Sequence, residues 1–402
     1  MVRQDAGACG PAATGAGPPV PSLVRLFLAF LRLGAVSFGG PAMVVYIRRL
    51  AVARMGWLSE EDFQQGVALC QAVPGATAMQ CAAYVGLRTR RLPGALAAYA
   101  GFGLPAFALM FALALAYGRA VQVDAVVAAL AGLRAVVVAL VANAAWSFGR
   151  TSIRGGRQAI VSLAAAALFL GGIGPLWIVL GAGLAGALLL RQPQPTTEGR
   201  HDGQPAVWRA LAPALLLAAT AAALALGLGV IDERLAALCR VMMKVDLMAF
   251  GGGFASVPLM FHEVVDVRGW MPAAVFLDGI ALGQVTPGPI VITATFVGQQ
   301  VAGPAGALVA TASIFLPSLA VVTLAAPWFE RLRSWAAFQA ASRGFVLSFV
   351  GLLASVTIHF ARLTPWTVSS AILAAAALVA LRLRVDVLWV VLAAAVLSAA
   401  LR

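Results

Sequence analysis

The chain has 402 residues, of which 62% are hydrophobic and 11% charged, and its mean hydropathy is +0.94. A soluble domain carries roughly 25% charged residues, so most of this surface has lipid as its solvent and a water-soluble enzyme is excluded. The net charge of +13 does not signal nucleic acid. Its basic residues are scattered through loops such as Arg48–Arg49, Arg88–Arg91 and Arg150–Arg157, with no basic domain, and they read as positive loops that orient a membrane protein.

In chain order, residues 1–21 are rich in Gly, Ala and Pro and lack an apolar core, so they read as a disordered tail and not as a cleaved signal peptide. The first apolar helix begins near Leu23 and acts as an uncleaved insertion signal. Long apolar runs follow, among them Leu104–Tyr117 and Ile160–Leu170. They are continuous, where a membrane β-barrel would alternate. At ~28 residues for a span and its loop, the length accommodates about 12 to 13 spans. The stretch Arg191–Trp208 is the most polar after the tail and must lie in water.

The chain then repeats itself. Phe38–Gly40 recurs at Phe250–Gly252, Gly56-Trp57 at Gly269-Trp270, and Gln71-Ala72-Val73-Pro74-Gly75 at Gln284-Val285-Thr286-Pro287-Gly288. Pro93–Leu96 is answered by Ala305–Leu308, and Leu104-Pro105 by Leu316-Pro317, always in the same order and about 212 residues apart. A collinear series of this kind marks a duplication. The expected organisation is a tail (1–21), a first repeat (22–190), a polar linker with a connecting helix (191–233) and a second repeat (234–402). The unmatched apolar segment Ala210–Val230 supplies one extra crossing, which would turn the second copy over if each unit crosses an even number of times. The expected fold is all-α: a polytopic membrane protein of two homologous repeats of about six helices, favoured as inverted, plus a linker helix. That count takes each Pro-Gly segment as a broken helix crossing once. A re-entrant hairpin would make the same count parallel, and the Arg331/Arg333 and Arg382/Arg384 loops conflict with the orientation that a hairpin gives unit one.

Three features carry chemistry. Pro74-Gly75 and Pro287-Gly288-Pro289 interrupt apolar stretches, and backbone freed by proline and glycine cannot face lipid. A half-helix starting after such a break aims N–H groups and a positive dipole end into a cavity, the makings of an anion site. Gln71, Gln284, Thr77, Thr286 and Thr293 stand nearby. The Gly39-Gly40 and Gly251-Gly252 turns serve either close helix packing or a ligand. Arg32, Arg134, Lys244 and Arg343 lie within apolar segments, each at about 2.5–3.5 kcal/mol at a bilayer centre. Snorkelling accounts for Arg25 and Arg48 more readily than for Arg134. Asp246 and Glu263 are the acidic residues singled out, and Asp246 is two residues from Lys244, where helical neighbours do not face each other. Four cysteines (Cys9, Cys70, Cys81, Cys239) and three separated histidines (His201, His262, His359) form no metal or haem pattern, so neither a cofactor nor a metal is expected.

With these residues in view, the chain resembles the chromate ion transporter family in its long, two-domain bacterial form. The resemblance rests on Leu31-Arg32-Leu33-Gly34, Phe38-Gly39-Gly40-Pro41, Lys244 with Phe250-Gly251-Gly252-Gly253, Gly56-Trp57-Leu58, and Gly283–Pro289 continuing to Thr295-Phe296-Val297-Gly298. It covers nearly everything from Leu23 onward. It implies a multi-pass protein of the bacterial inner membrane that exports chromate, with sulfate as the related oxyanion, driven by the proton motive force. It implies two oppositely oriented halves and no enzymatic step. The expected substrate site is Arg32, Gly39, Gly40, Gln71, Pro74, Gly75, Arg134, Lys244, Gly251, Gly252, Gln284, Thr286, Pro287, Gly288 and Arg343, with Asp246 and Glu263 as coupling candidates. The partners expected are the oxyanion and the lipid bilayer, with no nucleic acid, and a homodimer is a candidate assembly. The halves differ at two points: Asp246 stands where unit one has Gly34, and Pro289 where it has Ala76. Alternatives are a carrier of another inorganic anion, a passive channel, or a membrane enzyme acting on a lipid phosphate, for which the sequence offers no paired carboxylates on one helix face.

Overall fold

The computed structural model describes residues 20–38, 42–190, 207–329, 331 and 335–400. The first unit comprises α1 (Leu23–Val36), α2 (Ala42–Arg48, extended by a π turn over Arg49–Arg54), α3 (Glu60–Ala72), α4 (Thr77–Ala120), α5 (Asp124–Ser152), α6 (Gly156–Leu170) and α7 (Pro175–Leu189). After the linker helix α8 (Val207–Ile231) the series returns as α9 (Glu233–Met248), α10 (Ser256–Phe261, extended by a π turn over His262–Val267), α11 (Ala273–Val285), α12 (Thr293–Ala325), α13 (Ala336–Leu363), α14 (Val368–Arg382) and α15 (Val387–Ala400). The copies correspond element for element, down to the π turns. Local sequence sets the helix starts: the Ser22 and Ser59 hydroxyls accept from the backbone N–H of Arg25 and Asp62, and Glu60, Glu61 and Asp62 occupy the positive end of α3.

The Pro-Gly segments do not cross the membrane. α3 and α11 have 13 residues each, about 20 Å against a hydrocarbon core of about 30 Å. After the break, α4 runs back along α3, so that a Cβ at Gly66 would overlap the Tyr84 ring. It then reverses again at Arg90 and Arg91, whose φ/ψ of −140/24° and 55/−148° leave the helical region. Beyond that reversal Gly94 packs on Gly86, and Gly103 lies against Met79. α12 does the same at Ala302 and Gly303 (−143/28° and 61/−154°), with Gly306 on Gly298 and Thr311 hydrogen-bonded to Thr295 at 2.7 Å. The expectation of a once-crossing broken helix is therefore corrected to a re-entrant hairpin in both units. α1 and α2 form another, with Phe30 stacked on Trp57 and Arg25 reaching Met55. The count of 12 to 13 spans falls accordingly. Five helical segments among the described residues are long and apolar enough to cross, two per unit plus α8.

The units are inverted. The second part of α4 serves as a ruler: Met79 of the first hairpin lies beside Gly103, the tip residue Gly288 of the second beside Ala106, and Asp278 and Phe296, further down that second hairpin, beside Tyr117. The two hairpins thus enter from opposite ends and meet tip to tip. Each Pro-Gly tip donates to the first hairpin of the opposite unit, Gly75 N–H to the Ala249 carbonyl after α9 at 2.9 Å and Gly288 N–H to the Ser37 carbonyl after α1 at 2.8 Å. Inversion also removes the conflict in loop charges. Arg382 stacks on Trp146 near the end of α5 at 4.6 Å, which brings the Arg382/Arg384 loop to the face that carries Trp57, Arg88, Arg90 and Arg91. This Trp57 face holds the basic loops of both units, and the Trp270 face is the other.

Candidate functional site

The four hairpin tips converge where the units interlock. At the first break Gly75 takes φ 119°, and a Cβ there would strike the Ser318 hydroxyl and the Gln80 amide, so the close approach requires glycine. Gln80 is fully buried; its amide nitrogen donates to the Pro74 carbonyl at 2.5 Å while its Oε1 has no donor. α4 starts at Thr77 with Ala76 in the cap position and no side-chain cap. Among the described residues no acceptor meets the N–H groups of Thr77, Ala78 and Met79. This is the bare positive helix end that the break predicts. Facing it is the tip of the inverted unit's first hairpin: Gly251 and Gly252 have φ 95° and 96°, and a Cβ on Gly252 would lie 3.2 Å from the Thr77 hydroxyl oxygen.

The second break is differently furnished. Pro289 is followed by a 3-10 turn, Ile290–Ile292, which leads into α12. The Thr286 and Thr293 hydroxyls donate to Gly283 and Ile290 carbonyls, at 2.9 and 2.8 Å. Thr286, expected as a ligand, thus satisfies the end of its own helix. Gln284 aims a buried Nε2 donor that has no acceptor. Its counterpart Gln71 is exposed on the last turn of α3. Gly39 and Gly40 lie outside the described residues.

The cations are placed less freely than the sequence suggested. Arg134 on α5 forms a two-pronged ion pair with Asp278 on α11, Nε to Oδ1 at 2.7 Å and Nη2 to Oδ2 at 2.8 Å. Tyr117 donates to the same Oδ2 at 2.7 Å. Asp278 is wholly buried and the Arg134 side chain 25% exposed. Removing one member of such a pair costs about 3–5 kcal/mol. Lys244 pairs with Glu263 at 2.6 Å, not with its near neighbour Asp246. The two line a cavity of about 110 Å³ beside His262 and the start of α7 at Gly174 and Pro175. Arg32, the counterpart of Lys244, is exposed and has no acidic partner among the described residues. Arg343 follows Ser342, whose hydroxyl reaches the Ala72 carbonyl at 3.5 Å, beside the first break. Arg134 and Lys244 therefore carry their own counter-ions.

Asp246 sits at the tip of α9 with 1% exposure. Next to Pro317, Ser318 turns both its N–H (2.6 Å) and its hydroxyl (2.5 Å) onto this carboxylate. No cation pairs with it among the described residues. The counterparts in unit one are Gly34 and Ala106, so the carboxylate and its donor belong to one side only. The sequence singled out Asp246 but missed Ser318, Gln80, Tyr117 and Asp278. The first three are ordinary within apolar helices, and Asp278 stands in α11 six residues before Gln284 with its partner on another unit.

A family model described as chromate transporter matches residues 24–187 and again 236–399. A chromate transport protein of Pseudomonas aeruginosa is 33% identical over 89% of this chain and 86% of its own length. A chromate transport protein of Cupriavidus metallidurans is 30% identical over 89% and 87%. An uncharacterized transporter of Methanocaldococcus jannaschii reaches 39% over 94% of both chains. No solved structure matches. The chain belongs to the chromate transporter family and is a multi-pass membrane protein.

Proposed function

We propose that this member of the chromate transporter family exports chromate, or a sulfate-like divalent oxyanion, across the bacterial inner membrane in exchange for entering protons. The observation that carries the reading is the bare start of α4 at Thr77, facing Gly251 and Gly252 of the inverted unit. A dianion there meets backbone N–H donors and a positive dipole end in a region closed to lipid. Pro74, Gly75, Pro287 and Gly288 hold the tips, Gln71 and Gln284 flank them, and Gly39 and Gly40 are assigned the same part in unit one. Arg32, Arg134, Lys244 and Arg343 supply charge.

Direction follows from the asymmetry of charge. Basic loops favour the cytoplasm, which makes the Trp57 face the inner one. The hairpins from that face carry Arg32 with no acidic partner among the described residues, whereas those from the Trp270 face carry Glu263 against Lys244 and Asp278 against Arg134. An anion is thus drawn in by an open cation and released where carboxylates reclaim the cations. Asp246 is the proton carrier on this reading. A carboxylate buried beside neutral donors alone is costly when ionised, and an intramembrane acid is a functional residue by default. Glu263 is the second coupling group, at the outer cavity.

The test is uptake of labelled chromate into inside-out vesicles under an imposed pH gradient. Accumulation that collapses with a protonophore is expected, with sulfate competing. Flux indifferent to the gradient means a passive channel instead, and no chromate or sulfate flux at all ends the oxyanion reading.

A further inference from the structure

The ion pair at Arg134 has the form of a substrate complex with the substrate replaced by a side chain. A guanidinium offers two parallel N–H donors, a fork that fits two oxygens of a carboxylate or of a tetrahedral oxyanion equally well. Here both prongs are taken by Asp278, and Tyr117 braces one of the same oxygens. The Asp278 carboxylate is wholly buried, while the Arg134 side chain is 25% exposed. Asp278 lies less than two turns before Gln284 on the helix that leads into the second break. The triad also joins the units, Tyr117 and Arg134 belonging to the first and Asp278 to the second.

Resting on the oxyanion reading above, we infer that Asp278 is a tethered competitor of the transported anion for Arg134, and that its return to the arginine drives the anion off. The position has no duplicate. Gln65 occupies the place of Asp278 in unit one, and Val346 that of Arg134 in unit two. Of the elements packed on its helix, α12 and α15 contain no titratable residue, while α4 and α5 carry Arg119 and Asp124 at their ends besides Tyr117 and Arg134. Tyr117 and Arg134 are the groups it faces. Competition of this kind keeps a tight anion site from becoming a trap, because the departing ligand is replaced by a tethered carboxylate on the same donors.

The experiment uses the full chain in proteoliposomes and labelled sulfate exchange with equal pH on both sides, giving KM and maximal rate separately. Asp278→Asn removes the competitor's charge, so KM falls and maximal rate falls with it. Tyr117→Phe only loosens the competitor, so it lowers KM by less and keeps the chain folded if the first variant is not. In detergent, sulfate raises the melting temperature of both variants by more than that of the natural chain. A structural tie alone lowers the maximal rate and leaves KM where it was, and that result in both variants overturns the inference while leaving the oxyanion reading intact. Absence of sulfate and chromate exchange in the natural chain overturns both.

Discussion

The two Pro-Gly breaks descend from one ancestor and occupy mirror positions, yet they are built from different chemistry. Around Gly75 stand the Ser318 hydroxyl, the buried Gln80 amide, Asp246 and a bare helix end. Around Gly288 the counterpart of Ser318 is the methyl of Ala106, that of Gln80 is Thr293 bonded within its own turn, and Pro289 with its 3-10 turn covers the helix start. Duplication supplied two equivalent frames. The first holds the polar groups, and the second holds its partner in place. An inverted pair with two equal sites would bind equally well from either face, so a directional carrier has reason to lose that symmetry.

The largest effect should come from removing the feature unique to one side. Asp246→Asn is expected to abolish pH-driven export in vesicles while the protein still inserts, and retained pH-driven export would return Asp246 to a packing role. Ser318→Ala, which removes the hydroxyl donor and leaves only the backbone N–H on the same carboxylate, costs about 1–3 kcal/mol, read as a lowered melting temperature in detergent. A direct comparison of the breaks comes next. Gln80→Leu lowers flux roughly fivefold, the equivalent of about 1 kcal/mol, whereas Thr293→Val at the matching position changes it little. Equal losses in the two variants would restore two equivalent sites. The smallest effect concerns the reversals at Arg91 and Gly303. Both adopt the same conformation, φ 55° and 61° with ψ −148° and −154°, but only one is glycine. Arg91 is exposed, so Arg91→Gly relieves backbone strain and stabilises by about 1 kcal/mol, visible as a raised melting temperature.

Much of the architecture was legible in the sequence because duplication writes itself twice. The repeated Phe-Gly-Gly, Gly-Trp and Pro-Gly motifs marked the matched positions of the two units without any structure. The direction of the chain after each break was not legible, since an apolar half-helix that continues and one that returns have the same composition. A signal was present in Gly86 with Gly94 and Gly298 with Gly306, small residues set on either side of Arg91 and Gly303 where two helices must touch. The pairing of Arg134 with Asp278 joins positions 144 apart in the chain, and no periodicity within one helix encodes such a contact. Lys244 and Glu263 belong to the two arms of one hairpin, so their meeting became visible only once that hairpin was known to fold back.

The crossed hydrogen bonds between the tips bear on how the protein is made. Gly75 donates to Ala249 and Gly288 to Ser37, so each half completes the backbone of the other. When the first 190 residues have left the ribosome, the N–H of Gly75 has no native acceptor, and an unpaired peptide group inside a bilayer is costly. The first half must therefore wait in an unfinished form until the second is inserted in the opposite orientation. Assembly then closes both tips together, which makes the last step of biosynthesis cooperative and gives a truncated chain no stable resting state of its own.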